Sequence, residues 1–469
     1  MPAVSRSALL FLSFGFLSVL QAAEPDWPAV EAETLQHFQA MVQIETTDPP
    51  GRETVLTDYL LGVFQAEGID VEVFSLNPDR PNLVARLKGN GSKRPLLLMA
   101  HQDTVNVDPE KWSLPPFSAA RDKGWIYGRG TLDDKDNLTA SLMSMLLLKR
   151  MNVPLDRDVI FLAESGEEGS TQIGIQFMVE EHFDSIEAEF CLAETGSVVR
   201  QNGQALYTGV QTVEKLPRAI QLTSGGVASH GSIPTRRNAV VKMAQAVAAV
   251  AQWQPPIRLS DTTTSFFSRL AAISPAEDAA RYRALLNPGS AEATAAFDYL
   301  LSNQPARAAM LHTTISPTIM DAGYRVNVIP SEASATLDTR LLPDENPDAF
   351  LEAVRAVISD PDVIVDWAPR NLRPGGSARL DTDAFAIIEQ AYTQEYGVPV
   401  LPVQSNGATD MAYLRARGVQ CYGVGPGIDD EDALLGFGTH SDQERIIEEE
   451  LQRFVRTYYR ITAQLAGQN

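Results

Sequence analysis

Short apolar runs alternate with amphipathic stretches along the first half of the chain. Residues 29–46 and 52–67 repeat apolar positions at helical spacing and predict two amphipathic helices. The breaker Thr47-Asp48-Pro49-Pro50-Gly51 separates them. Strand-like runs follow at 71–76, 82–87 and 95–100. Next come a helix over about 137–151, a strand at 159–163, a helix near 172–182 and a strand at 189–193. Strands that are apolar at nearly every position are buried on both faces, so this alternation predicts an α/β sheet covered by helices.

The texture changes after about residue 213. A strand is expected at 218–223, an Ala/Val-rich helix at 238–253, and a mostly helical, Ala-rich stretch over 261–312. Strands return at 314–320, 333–341 and 363–367, with a helix at 347–359. This reads as a second, α+β unit inserted into the first. A helix at 383–396, an apolar run at 419–424 and a closing helix from Glu444 then complete the first unit. The expected division is 24–213 with 369–469, and 214–368.

Composition fits a soluble globular chain of more than one domain. Of 469 residues, 44% are hydrophobic and 21% charged, and the formal net charge is -22. So acidic a surface argues against nucleic acid as partner. The amino terminus adds a destination. Arg6, an apolar run over 8–20 and then Gln21-Ala22-Ala23 read as a secretory signal spanning 1–23, which predicts a periplasmic or secreted protein with no membrane span after processing. An uncleaved anchor is the lesser alternative. The two cysteines, Cys191 and Cys421, lie in apolar strand-like runs and read as buried thiols, with one disulfide left open.

The candidate chemistry gathers at strand ends. His101 follows the apolar run 95–100, where open α/β sheets hold their ligands. Asp103, two residues on, can take the free ring N–H and fix the tautomer. Asp133 and Asp134 sit in a glycine-rich turn before a helix, where capping is the bland explanation. Glu164, Glu167 and Glu168 follow the next strand, and Glu194 the one after. Each acid alone can be a solvated turn. Converging carboxylates, however, repel unless a cation holds them. Carboxylates and histidines without thiolates suit zinc, and also cobalt or manganese. His37, His182 and His312 have contexts that need no site.

An ordered set of motifs covers nearly the whole chain after residue 23: Met99-Ala100-His101-Gln102-Asp103, Tyr127-Gly128-Arg129-Gly130-Thr131-Leu132-Asp133-Asp134-Lys135, Glu167-Glu168-Gly169, Glu194, Ser229-His230-Gly231-Ser232-Ile233-Pro234, Asn327-Val328-Ile329-Pro330, Asp338-Thr339-Arg340 and Gly438-Thr439-His440. In this order they resemble the aminoacylase/carboxypeptidase family of two-zinc hydrolases, which includes carboxypeptidase G, succinyl-diaminopimelate desuccinylase and carboxypeptidase S, with most likeness to the carboxypeptidase S branch. The sequence departs from the family pattern at Asp136, where glycine is common, and in the acids that follow His440.

The resemblance implies a zinc-exopeptidase-like catalytic domain, a mixed sheet covered by helices, with an inserted α+β lid or dimerisation domain. It implies that Asp133 bridges two zinc ions, that His101 and Glu194 complete one site, and that Glu168 and His440 complete the other. Glu167 would be the general base, Asp103 the partner of His101, and His230 the oxyanion stabiliser. Asn327 and Arg340 would grip the substrate, Arg340 through a carboxylate. Gly407-Ala408-Thr409-Asp410 resembles a substrate-side loop, and the Asp133–Asp134 peptide is often cis in this family. The substrate expected is a small peptide or N-acyl amino acid, and a homodimer is expected through the lid. The alternatives are an N-acyl-amino-acid synthase, running the condensation, and a non-catalytic peptide- or metal-binding protein.

Overall fold

The computed structural model describes residues 24–369 and 373–468; the export segment expected over 1–23 lies outside the described residues. The chain opens with α1 (Trp27–Gln43), α2 (Thr54–Ala66), β1 (Asp70–Phe74), β2 (Asn82–Leu87) and β3 (Leu96–His101). Two short strands, β4 (Ala120–Asp122) and β5 (Trp125–Tyr127), lead to the long helix α3 (Lys135–Arg150). There follow β6 (Val159–Glu164), α4 (Ile175–Glu181), α5 (Phe183–Ile186), β7 (Phe190–Ala193), β8 (Ser197–Gln201) and β9 (Gln204–Glu214).

The middle of the chain contributes β10 (Leu216–Gly225), β11 (Ser229–His230), α6 (Ala239–Gln252), α7 (Asp261–Ile273), α8 (Ala276–Leu285), α9 (Ala291–Asn303) and α10 (Pro305–Ala309). It ends with β12 (Thr314–Ala322), β13 (Val328–Ile329), β14 (Glu332–Leu341), α11 (Pro347–Ile358) and β15 (Val363–Trp367). The last stretch holds α12 (Asp383–Tyr396), β16 (Val400–Ser405), α13 (Met411–Ala416), β17 (Gln420–Gly423), β18 (Gly427–Asp429), α14 (Asp430–Leu435), β19 (Arg445–Ile447) and α15 (Glu448–Ala466).

The expected mixed sheet is present. Its order is β1-β2-β6-β3-β7-β17-β9-β8-β18, with β16 pairing β9 off that path. The centre is parallel: β3 runs with β6 and β7, and β17 with β7. Period-two alternation splits β3 between two cores. Leu96, Leu98 and Ala100 face the core shared with α1, α3 and α15, while Leu97 and Met99 face the one shared with α4 and α13. Helix α3 is buried from Lys135 to Leu148 and takes small residues such as Ala140, Ser141 and Ser144 between its neighbours.

The four-stranded antiparallel sheet β12-β14-β10-β15, with α6 and α11, encloses a core of its own. Helices α7, α8 and α9 do not join it. Their apolar faces, including Phe267, Leu270 and Leu300, pack with Tyr207 of β9 and Leu401 of β16, so the Ala-rich stretch covers one end of the large sheet.

The closing helix begins at Glu448, four residues later than the apolar periodicity suggests. Glu444 is turned inward onto Arg129, and Arg445–Ile447 pairs antiparallel with β5 before the helix can start.

Candidate active site

Strand order explains the convergence of the candidate residues. β6, β3 and β7 are adjacent and parallel, so their carboxyl ends open on one side of the sheet. His101 ends β3, Glu167 and Glu168 follow β6, and Glu194 follows β7. The turn before α3 brings in Asp133, and the loop after α14 brings in His440, whose backbone sits at φ +62°. The Asp133–Asp134 peptide is cis, as the resemblance implied.

Asp133 stands between the two histidines. Its Oδ1 is 2.8 Å from His101 Nε2, and its Oδ2 is 3.1 Å from His440 Nε2. His440 Nε2 is also 3.0 Å from Glu168 Oε1. Two groups of ligand atoms result, each lying within 4.8 Å of one another: His101, Asp133 and Glu194, and Asp133, Glu168 and His440. Ligands bonded to one ion at about 2.0–2.2 Å in a tetrahedron lie about 3.3 Å apart, close to these spacings. The donor set therefore fits two divalent ions sharing Asp133. As protein groups alone, these residues hold each other's charge. Hydrogen bonds donated to Asp133 and Glu168 push His440 up to about 10. Asp133 is held well below the usual carboxylate range, the bonds from His101 and His440 outweighing its burial.

Asp103 is fully buried and acts on two neighbours differently. His101 Nδ1 lies 3.0 Å from the Asp103 main-chain carbonyl oxygen but 3.6 Å from its carboxylate, so the carbonyl takes the ring N–H. The carboxylate accepts instead from the backbone N–H groups of Gly166 at 2.7 Å, Glu167 at 3.2 Å and Glu168 at 3.1 Å. It thereby fixes the turn that presents both glutamates.

Glu167 lies half-buried beside this cluster, and desolvation pushes its carboxyl up to about 7 while Arg373 pulls the other way. Arg373 Nη2 is 3.2 Å from Glu167 Oε1, and Nη1 is 3.2 Å from Asp410 Oδ1. Sequence reading did not find Arg373; it lies in a stretch of Pro and Gly with no strand, helix or motif to mark it. It also missed Glu444, which accepts from Arg129 Nη1 at 2.6 Å and from Leu132 N at 2.8 Å and so anchors the turn carrying Asp133. Lys135, buried behind that turn, donates to the carbonyl of Ile44 at 2.8 Å, and burial lowers its amine to about 7.

The three candidates from the middle of the chain stand apart. His230 and Asn327 meet on the ribbon formed by β11 and β13, where Gly231 N donates to Asn327 O at 2.8 Å. Both residues are exposed. His230 Nδ1 is 2.7 Å from Ser232 Oγ. Arg340 on β14 forks onto Asp338 at 2.8 and 3.1 Å. Among the described residues, no hydrogen bond or ion pair links these three to the ligand groups.

The pattern of Peptidase family M20/M25/M40 matches residues 97–464. A probable carboxypeptidase S-like protein of Dictyostelium discoideum is 28% identical over 393 residues, covering 81% of this chain and 73% of that one. An N-fatty-acyl-amino acid synthase/hydrolase of Xenopus tropicalis is 28% identical over 384 residues, covering 78% and 72%. In fold, the chain is similar to the M20 family metallo-carboxypeptidase Sso-CP2 of Sulfolobus solfataricus, with a TM-score of 0.68, 17% identity, and 92% and 98% of the two chains covered. The match spans His101, Asp133, Glu167, Glu168, Glu194 and His440 alike, and the chain belongs to peptidase family M20/M25/M40, metallopeptidases and amidohydrolases that act on amide C–N bonds.

Proposed function

We propose that this protein is an exported two-zinc hydrolase that cleaves a peptide or N-acyl amide bond next to a carboxylate-bearing amino acid. The observation that carries the reading is Asp133, whose two oxygens face His101 and His440 from opposite groups, with Glu167 half-buried alongside. His101, Asp133 and Glu194 would hold one ion, and Asp133, Glu168 and His440 the other; zinc suits the set, with cobalt or manganese as substitutes. Such a pair of ions supplies an activated water and positive charge where the carbonyl oxygen becomes negative.

The chain's own groups do the rest. Glu167 accepts the proton of the attacking water and delivers it to the departing nitrogen. Asp103 keeps Glu167 in place through its backbone N–H. Arg373 keeps a positive charge against the Glu167 carboxylate. His230 stabilises the developing oxyanion when the β11–β13 ribbon closes over the substrate, Asn327 helps grip it, and Arg340, oriented by Asp338, pairs with the substrate carboxylate. Residues 24–213 with 369–469 form the catalytic domain, with helices α7, α8 and α9 laid on its sheet, and the rest of 214–368 forms the lid. The lid's edge strand β12 and the turn after it expose Ile319, Met320, Tyr324 and Val326, which suits pairing with a second copy of the chain. No helix among the described residues is long and apolar enough to cross a membrane, and the 1–23 segment directs export to the periplasm or beyond.

The test measures metal content and turnover of a panel of dipeptides and N-acyl amino acids, with wild type beside Glu167→Gln. The expected result is two ions per chain in both proteins and a loss of about 10²–10⁴-fold in kcat in the variant. Failure of wild type to bind metal when zinc is supplied overturns the site. The likeness to a synthase/hydrolase favours a second reading, condensation of an acyl group with an amino acid, which product formation from fatty acid and amino acid would reveal.

A further inference from the structure

A pocket of about 350 Å³ opens directly off the ligand groups, with Asp133 and Glu194 in its wall. Its other walls are of two kinds. Trp125, Leu132, Ile428 and Ile446 give it apolar sides. Asp136 and Asn137, on the first turn of α3, line it together with Asp429 and Asp430 at the junction of β18 and α14.

The polar part is unsatisfied in a specific way. Asp136 is 1% exposed and Asn137 2% exposed, and each has a buried side-chain oxygen, Oδ1, without a hydrogen-bond partner. Such atoms are costly to bury unless something donates to them. Asp429 Oδ1 is in the same state, its ion pair with Arg200 Nε being loose at 3.4 Å. Asp136 and Asp430 form no ion pair among the described residues. The pocket does contain a base, Arg445, but it is already taken. It forks onto Asp432 at 2.8 and 3.1 Å and lies 3.7 Å from the ring centres of both Trp125 and Phe437.

We infer that this pocket recognises a basic side chain of the substrate, an aliphatic stem ending in an ammonium or guanidinium group. The stem lies against Trp125, Leu132 and Ile446, and the N–H donors reach Asp136, Asn137 and Asp429. A neutral chain would fill the apolar walls yet leave those oxygens unpaired, and a site built to accept hydrogen bonds rejects an analogue that lacks the donors. The inference rests on the hydrolase reading and narrows its substrate class.

The zinc-loaded full chain is assayed with dipeptides carrying lysine or norleucine, first on the acyl side and then on the amine side of the scissile bond. The two side chains share a four-carbon stem and differ in the ammonium. The expected result is a kcat/KM for lysine higher by roughly tenfold or more in one of the two positions. Asp136→Asn and, independently, Asp429→Asn lower the lysine-to-norleucine ratio by about the same factor. The second variant is partly exposed and so answers the question even if the first fails to fold. Equal or better use of norleucine, or of an unbranched fatty acyl group, in both positions overturns the inference while leaving hydrolysis intact. If no substrate turns over, the hydrolase reading falls. Calorimetric binding of N-acetyl-lysine against N-acetyl-norleucine then decides the pocket, a tenfold preference sustaining it and equality removing it.

Discussion

The imidazole of His101 and the carboxylate of Asp103 are not direct partners: Nδ1 lies 3.0 Å from the Asp103 main-chain oxygen and 3.6 Å from the side chain. The tautomer of His101 is therefore set by the backbone, and the carboxylate is free to gather three N–H groups of the Gly166–Glu168 turn.

Asp103→Asn tests this division. An amide presents two donors and one acceptor where the carboxylate meets only donors. The variant is expected to lose about 10–100-fold in affinity for the ion held by Glu168 and His440, with the ion at His101 and Glu194 less affected. Stepwise metal titration distinguishes the two sites. Equal loss at both would show that the side chain acts through His101 after all.

Arg373 bridges Glu167 and Asp410, and the Asp410 side chain is only 1% exposed. Arg373→Met leaves Asp410 buried without a cation, at a cost of about 3–5 kcal/mol in unfolding free energy. Adding Asp410→Asn to the same chain should recover part of that loss. Urea unfolding of the two variants and wild type measures both; an unchanged midpoint for Arg373→Met would show that the bridge contributes nothing.

His312 gives the fold a pH dependence of its own. Burial, reinforced by the charge of Lys215, lowers its pKa from 6.5 to about 4, and its Nδ1 has no hydrogen-bond partner. The unfolded chain thus takes up a proton that the folded chain refuses between these two values. Stability is unaffected by this group above pH 6.5 and falls as pH drops towards 4, by up to about 3 kcal/mol. Unfolding measured from pH 7 to pH 4 should show a flatter loss in His312→Gln than in wild type. A parallel pair of curves would rule the group out.

Cys191 and Cys421 are register neighbours on the parallel strands β7 and β17, both fully buried as free thiols. Burial raises the Cys191 thiol well above its ordinary value. Neither should react with a thiol reagent in the folded protein, and both should react in denaturant without reductant. Absence of reaction in denaturant would mean that the pair is bonded.

The parts legible in sequence were those where one physical signal dominated. The 82–87 strand and the 383–396 helix stand where periodicity put them: the strand is buried at nearly every position, and the helix has an apolar face bounded by the Thr382 cap and Gly397. The candidate ligands His101, Asp133, Glu168 and Glu194 stood out because each follows an apolar strand or sits in a glycine-rich turn, whereas His440 was marked only by the resemblance of Gly438-Thr439-His440 to a family motif. β9 was not legible, since its buried stretch includes the polar Thr208, Gln211 and Thr212, and two of these are met from afar: Thr212 by Thr262, 50 residues on, and Gln211 by Arg415, 204 residues on. β16 was hidden by Pro402, tolerated where the strand runs at the side of β9. Arg373 and Glu444 belong to a third kind: their meaning lies wholly in what they touch, at separations of 206 and 315 residues.

The place of β17 in the sheet has a bearing on how the protein is made. This strand, from residues 420–423, lies between β7 and β9, which are completed before residue 215. A ribosome therefore finishes the strands on either side of it long before it delivers the one that joins them, and His440 emerges later still. A chain arrested before that point carries all three candidate ligands of the first group but only two of the second. On the proposed reading, hydrolytic capacity therefore arrives near the end of synthesis, and a growing or prematurely released chain lacks it.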